Sequence, residues 1–209
     1  MKGALGLILG NVSGNLDPAL RSTLDVAARN VERLINLVND LLDVQKLENG
    51  RTTFRCTTIE LLPLVEQTLH ALSSYAQDRE VRFAVTQRLP EARANLDSDR
   101  FAQVLTNLLS NAVKFSPKGT QVEINMKRRG DYICIEVLDR GPGIPANFRT
   151  QLFQRFAQAE STDARQRGGT GLGLAISKML IEQMGGYIGH LDRAGGGSIF
   201  FVDVAEYRG

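Results

Sequence analysis

Apolar residues recur at steps of three and four from Asp17 to Glu48: Leu20, Leu24, Ala27, Ala28, Val31, Leu34, Ile35, Val38, Leu41, Leu42 and Leu47. Arg29, Glu32, Arg33, Asn36 and Asn39 fill the other side. That spacing is the helical period. The stripe is wide, which suits a bundle with several neighbours better than a thin two-stranded seam. About thirty residues at ~1.5 Å each predict a rod of ~45 Å. Such a rod cannot cover its stripe alone, so a partner helix is expected. The segment Gly3–Leu9 reads as the end of that partner and Gly10–Leu16 as the turn. The segment is too short to be the whole partner, so the chain reads as a fragment or as one that dimerises.

Asn49-Gly50 ends the rod. Arg51–Thr58 alternates loosely and reads as a hinge with a short strand. The next helix spans about Leu61 to Gln77. Thr57 and Glu60 imitate a capping box, but Pro63 must lie in the first turn, so the regular helix starts near Glu60. Val81–Thr86 alternates as a strand. Ser98–Phe115 is helical, with Phe101, Val104, Leu105, Leu108, Leu109 and Ala112 on one face. Val122–Lys127 and Tyr132–Leu138 form two strands about a turn at Arg129-Gly130-Asp131. Leu172–Met184 is a helix, and Tyr187–Leu191 and Ser198–Val204 are strands. This order predicts an α+β fold: one mixed sheet with helices on one face, behind a helical segment. The expected division is residues 1–50 as a partial helical hairpin and 51–209 as the sheet domain.

Composition narrows the function classes. The 209 residues carry 25 basic and 23 acidic side chains, a net charge of +2. That balance gives no reason to expect a nucleic-acid partner or an anionic membrane surface. No apolar run reaches the ~18–20 residues needed to cross a bilayer. The start has one Lys and no small-residue cleavage site, so it does not read as a signal peptide. Cys56 and Cys134 make no metal-ligand spacing, and the expectation is free thiols in a reducing cytoplasm.

Four clusters carry candidate chemistry. Asn107, Asn111 and Lys114 share a helix face, and amide oxygens beside an ammonium suit a hydrated cation with phosphate; the plainer alternative is a solvated polar stripe. Asp139-Arg-Gly141-Pro-Gly143-Ile144 follows an apolar strand. A carboxylate there can accept from an exocyclic amine, and the glycines let backbone approach a flat ligand, or the segment is an ordinary turn. Gly168-Gly169-Thr170-Gly171-Leu172-Gly173 precedes a helix, where backbone N–H groups and the helix dipole favour phosphate. With no preceding strand and no Lys-Ser/Thr ending, it fits neither the dinucleotide fingerprint nor the P-loop. Phe153-Gln-Arg155-Phe156, before a polar stretch to Arg167, reads as two apolar anchors of a mobile lid or as a plain surface loop. Gly195-Gly-Gly-Ser198 reads as a turn rather than a contact.

In order, these clusters resemble the N, first glycine, F and second glycine boxes of the nucleotide-binding domain of bacterial sensor histidine kinases. Leu96-Asp-Ser-Asp-Arg-Phe-Ala-Gln-Val-Leu resembles the lead-in to the N box. Val31–Gly50 resembles the second helix of the family's dimerisation and phosphotransfer domain. The resemblance covers nearly the whole chain. It implies a Bergerat-type ATP-binding α/β sandwich with ATP and Mg²⁺ as cofactors. Asn111 would ligate Mg²⁺ with Asn107 close by, and Lys114 would approach the phosphates; Asn107 and Lys114 are the implied catalytic positions. Asp139 would accept from the adenine amino group, supported by Gly141, Gly143 and Ile144. Gly169, Thr170, Gly171, Leu172 and Gly173 would wrap the phosphates, with Phe156 closing the site. For Arg155, Arg165 and Arg167, a lid cation near the γ-phosphate and a solvated charge both remain open. The implied partners are a response regulator and a second copy of the chain through the N-terminal helices. The implied location is cytoplasmic, with any membrane anchor in other parts of the parent.

Related ATPases of DNA topology and mismatch repair carry a glutamate base four residues before the metal-binding asparagine. Here that position is Asn107, and a neutral amide cannot take a proton from water. Phosphoryl transfer to a better nucleophile is therefore expected over fast hydrolysis. The family's acceptor is a histidine opening a His-Glu-x-Arg-Thr-Pro-like box. The two histidines here, His70 and His190, lack those neighbours and read as structural. The acceptor box is expected upstream of Met1, so this chain should bind nucleotide without phosphorylating itself at the usual site. The competing function is a nucleotide-sensing interaction module without kinase activity. A serine kinase of the anti-sigma type shares the nucleotide domain but does not need the rod.

Overall fold

The computed structural model describes residues 18–49, 52–158 and 169–208. The stretch expected to hold a partner helix (residues 1–17), and Arg165, Arg167 and Gly168, lie outside them. Helix α1 (Pro18–Glu48) is the expected rod. Pro18 opens it, where a missing N–H costs nothing. Asn49 closes it, its backbone N–H and its Nδ2 both donating to the Gln45 carbonyl (3.1 and 2.8 Å). Val44 and Leu47 near its C-terminal end are buried, while Val26, Leu34, Ile35, Val38, Leu41 and Leu42 stay exposed, Leu34 by 57%.

The α+β domain follows. Its elements are β1 (Thr57–Glu60), α2 (Leu61–Ala71), α3 (Ser73–Gln77), β2 (Arg82–Gln87), β3 (Arg93–Leu96) and α4 (Ser98–Phe115). Next come β4 (Gln121–Arg129), β5 (Tyr132–Leu138), a 3-10 turn (Ala146–Gln151), α5 (Gly173–Gln183), β6 (Tyr187–Asp192) and β7 (Ser198–Ala205). The main sheet has the order β2-β4-β5-β7-β6, mixed as expected: β2 runs parallel to β4 and the other pairs are antiparallel. The registers Ile133↔Val204, Ile135↔Val202 and Val137↔Phe200 align apolar residues from neighbouring strands. With Ile124 and Met126 these side chains are buried, together with the apolar face of α4. Side chains of period two on the sheet thus meet side chains of period 3.6 on the helix, and each covers the other's apolar surface.

Two expectations change. The helix expected through Gln77 breaks at Leu72, where the Ser73 hydroxyl bonds back to the His70 carbonyl (2.7 Å) and competes with the helical ladder. The chain also forms a second, two-stranded sheet, with Thr57–Glu60 antiparallel to Arg93–Leu96. Four-residue strands give too short an alternation for their pairing to be legible alone, and Ala94 and Leu96 of the second strand lie in the main core.

Candidate nucleotide site

Helix α4 begins where the Asp97 carboxylate accepts from the Arg100 backbone N–H (3.1 Å), an N-cap. Its apolar residues are buried, so Asn107, Asn111 and Lys114 fall on a separate, half-buried face. That face meets α5 and the glycine loop. Asn107 Nδ2 donates to the Ser177 hydroxyl (2.9 Å), and Asn111 Nδ2 donates to Asn107 Oδ1 (3.4 Å). A Cβ placed on Gly169 would lie 3.0 Å from Lys114 Nζ, and one on Gly173 would lie 2.3 Å from Asn107 Oδ1. The N-box face and the second glycine cluster therefore touch across a gap that only glycine leaves open.

Asp139 ends β5 and is 4% exposed. Its Oδ1 accepts from the backbone N–H groups of Gly141 (2.7 Å) and Ser198 (3.1 Å). Both bonds fall on one oxygen, which orients the carboxylate. Burial holds its carboxyl above the usual aspartate range, opposed by the two backbone N–H groups and by the charge of Arg193. Arg193 itself donates to the Asp139 carbonyl (3.0 Å) and pairs with Glu123 (2.6 Å). Those guanidinium bonds, with help from Arg140, lower the Glu123 carboxyl against a smaller cost of burial. Gly141 packs where a Cβ would press on the Phe115 carbonyl at 3.0 Å, and Gly143 adopts φ +77. Ile144 packs half-buried beside the core.

The phosphate-loop candidates form a tight turn into α5. Gly171 adopts φ +72, and a Cβ there would lie 2.9 Å from the Phe156 backbone. Leu172 is fully buried and anchors the turn. The helix begins at Gly173, one residue later than expected. Thr170 is engaged at both ends: its hydroxyl donates to Asp40 of α1 (2.8 Å) and accepts from the Leu172 backbone N–H (3.2 Å). Burial, and to a lesser degree neighbouring Asp43, raise the Asp40 carboxyl, while the Thr170 bond opposes them.

The anchors of the Phe153–Phe156 segment differ from expectation. Leu152 is buried and Phe153 packs on the core, but Phe156 is 59% exposed. Its backbone takes φ +60, so its main chain, not its ring, contacts Gly171. Arg155 pairs with Glu48 of α1. Further contacts tie α1 to the domain: Asp43 accepts from Gln103 (3.1 Å), and the Leu47 carbonyl accepts from Gln183 (3.1 Å). His70 is exposed at the end of α2, and His190 lies in β6 against Phe200. Both have the structural placements expected of them.

Four contributors escaped the sequence reading. Gly195–Ser198 is the expected turn and also a contact, since a Cβ on Gly197 would lie 2.2 Å from the Asp139 carbonyl. Three glycines before a strand were the available signal. Ser177, Arg193 and Asp40 had none, because each acts through a partner distant in sequence. Among the described residues no group of three or more His, Cys, Asp or Glu is placed to hold a metal. No described helix is long and apolar enough to cross a membrane.

Comparison with known proteins matches this geometry. The profile of the family described as histidine kinase-, DNA gyrase B-, and HSP90-like ATPase matches residues 96–208. The circadian input-output histidine kinase CikA of Synechococcus elongatus is 41% identical over 180 residues, covering 84% of this chain and 24% of that protein. The sensor protein GacS of Pseudomonas syringae is 36% identical over 210 residues, covering 98% of this chain and 23% of that one. The chain thus spans about a quarter of the length of these two relatives. The crystal structure of full-length ShkA in complex with AMPPNP superposes with a TM-score of 0.75 at 28% identity, covering 98% of this chain and 42% of that one. The Acinetobacter baumannii histidine kinase AdeS superposes at 0.72 and 25% identity, covering 98% and 92%. The five-stranded mixed sheet with its packed helices is thus the fold of this group, and the chain belongs to the histidine kinase-, DNA gyrase B- and HSP90-like ATPase family.

Proposed function

We propose that this chain is the catalytic ATP-binding portion of a sensor histidine kinase. It would transfer the γ-phosphoryl group of ATP to a histidine outside this sequence, for relay to a response-regulator aspartate. The observation that carries the reading is the contact of the Asn107–Lys114 face with the Gly169–Gly173 turn and α5, with Gly141 packed between Asp139 and the carbonyl of Phe115, the residue after Lys114. The relatives named histidine kinases and the AMPPNP complex of ShkA support it.

The residues fit magnesium-bound ATP. Asp139 has Oδ1 committed to backbone donors, so Oδ2 would accept from the adenine amino group. Gly141 and Gly143, without side chains, would let the backbone approach the ring. Lys114 already lies against Gly169, where it would neutralise phosphate charge, and the backbone N–H groups from Gly169 to Gly173 would hold the phosphate oxygens at the start of α5. Asn111 would hold Mg²⁺, with Asn107 beside it, and the ion when bound would supply charge neutralisation for phosphoryl transfer. The neutral amide of Asn107 cannot take a proton from water, so transfer to a histidine would be favoured over fast hydrolysis. Residues 51–209 would form the catalytic domain. The exposed stripe of α1 would pack in a homodimer, with residues 1–50 belonging to the dimerisation hairpin. The test mixes this chain with a homologous chain bearing the acceptor box and γ-labelled ATP. Acid-labile phosphate on the acceptor is expected. Nucleotide binding without transfer would instead favour a nucleotide-sensing module.

A further inference from the structure

Asp139 and Ser198 stand opposite each other, one step beyond the last β5–β7 pair, Leu138 and Ile199. A regular antiparallel pair at this step exchanges two backbone bonds. One of them forms: the Asp139 N–H donates to the Ser198 carbonyl (2.9 Å). The other donor, the Ser198 N–H, goes instead to the Asp139 carboxylate at Oδ1 (3.1 Å). The side chain has thus taken the place of its own carbonyl in the ladder. The displaced carbonyl lies so close to Gly197 that a Cβ there would stand 2.2 Å from it. Left unpaired in a residue only 4% exposed, that carbonyl would be costly. Arg193 supplies the missing donor, its Nη1 bonding the Asp139 carbonyl (3.0 Å). A guanidinium only donates and a carbonyl only accepts, so the direction of this bond is fixed. The Arg193 side chain is itself only 11% exposed, and its Nη2 bonds Glu123 of β4 (2.6 Å), which Arg140 also holds (3.2 Å). The planar fork therefore spans two acceptors at once.

We propose that Arg193 is a positioning residue for base recognition: by occupying the Asp139 carbonyl it leaves the Ser198 N–H to the carboxylate, which fixes the orientation of Oδ2. Without the guanidinium, the carbonyl would recapture the Ser198 N–H and the pair would become regular. The carboxylate would then keep only the Gly141 N–H (2.7 Å) and could rotate. The Arg193 charge also works against burial in holding the carboxylate ionised, as an acceptor should be. Glu123 is the anchor that keeps the fork in place. The inference rests on the reading of Asp139 as the adenine acceptor, and the experiment separates the two.

Calorimetry measures the affinities of ATP and of purine riboside triphosphate, which has hydrogen in place of the 6-amino group. The readout is their ratio, which isolates the amino group. Arg193→Met should lower the ratio by about three- to tenfold, the scale of one net hydrogen bond, with the affinity of the purine riboside compound unchanged. Glu123→Ala should lower it in the same direction, while Glu123→Gln, which keeps an acceptor for the guanidinium, should hold it. In an Asp139→Asn background, replacing Arg193 should cause no further fall. In nucleotide-free protein, the ¹⁵N–¹³C coupling across the Ser198 hydrogen bond should move from the Asp139 carboxylate to its main-chain carbonyl in Arg193→Met. An equal loss for both nucleotides identifies a merely structural role and overturns the inference. A ratio unchanged in both Arg193→Met and Glu123→Ala overturns it too, as does a coupling that stays on the carboxylate. Wild-type protein with no preference for ATP over the purine riboside compound overturns the adenine assignment and the inference with it. Wild-type protein that binds neither overturns the proposed function.

Discussion

Replacing Asp139 by Asn tests the nucleotide pocket at one oxygen. Oδ1 of Asp139 holds two backbone N–H groups, from Gly141 and Ser198. An Asn in the same orientation keeps both bonds and presents NH₂ where Oδ2 stood. The adenine amino group would then meet a donor instead of an acceptor. A hydrogen bond to a charged partner contributes about 1.5–3 kcal/mol, so affinity should fall by roughly 10- to 150-fold. At 100 times the wild-type dissociation constant, ATP stabilises the fold by about 2.7 kcal/mol. After a loss of ~30-fold the same concentration contributes only ~0.9 kcal/mol. At ~2–4 °C per kcal/mol for a chain of this size, a thermal shift of ~5–11 °C should shrink to ~2–3 °C.

The ligand-free variant should fold as well as the wild type or better. Burial raises the Asp139 pKa in the folded state, so folding favours the neutral form relative to the unfolded chain. The stability from that proton is fully present below the unfolded pKa and is lost as pH rises through the folded value. The Asn variant has no such loss, so its melting temperature relative to wild type should climb with pH across that window. An NH₂ at this position also suits the 6-oxo group of guanine, so the variant's ATP:GTP preference should move toward GTP. A thermal shift from ATP that survives in full would refute Asp139 as the adenine acceptor.

Lys114→Ala and Gly171→Ala should each erase most of the ATP-induced shift while leaving the ligand-free domain folded; the second forces a Cβ against the Phe156 backbone, and retention of the full shift in both would remove the phosphate assignment. Asp40→Asn should tighten ATP by about 0.5–1 kcal/mol, the scale of a partly exposed charge, most at low salt, because it removes a carboxylate from beside Thr170; unchanged calorimetric affinity would mean α1 leaves the loop when nucleotide binds. Native alkylation at pH 8 should modify exposed Cys56 and spare Cys134, whose thiol burial, with Asp203, pushes up to about 12; mass spectrometry of native and unfolded protein reads this directly. If α1 packs in a homodimer as proposed, wild type should sediment as a dimer and Leu34→Asp with Val38→Asp as a monomer, with ATP binding retained; a wild type that sediments as a monomer, or a variant that remains a dimer, would refute that role of the exposed stripe.

What the amino-acid sequence determined alone is what local pattern encodes. Helix α4 spans Ser98–Phe115 and β5 spans Tyr132–Leu138, as their periodicities require. The α1 stripe, the single mixed main sheet and the order of the four boxes were legible for the same reason. A period of 3.6 or 2 tells a residue which face it shares, and a glycine marks where backbone must bend or approach. Neither tells one face which other face it will meet. The tertiary structure decided that Thr57–Glu60 pairs with Arg93–Leu96, that Ser198 holds Asp139 and that Ser177 holds Asn107. It also decided that Asp40 reaches Thr170 across 130 residues. Each of these contacts joins segments distant in the sequence, brought together by the packing of α4, α5, the sheet and the C-terminal end of α1. Burial sets those distances, and the polar groups then take the partners that packing leaves within reach.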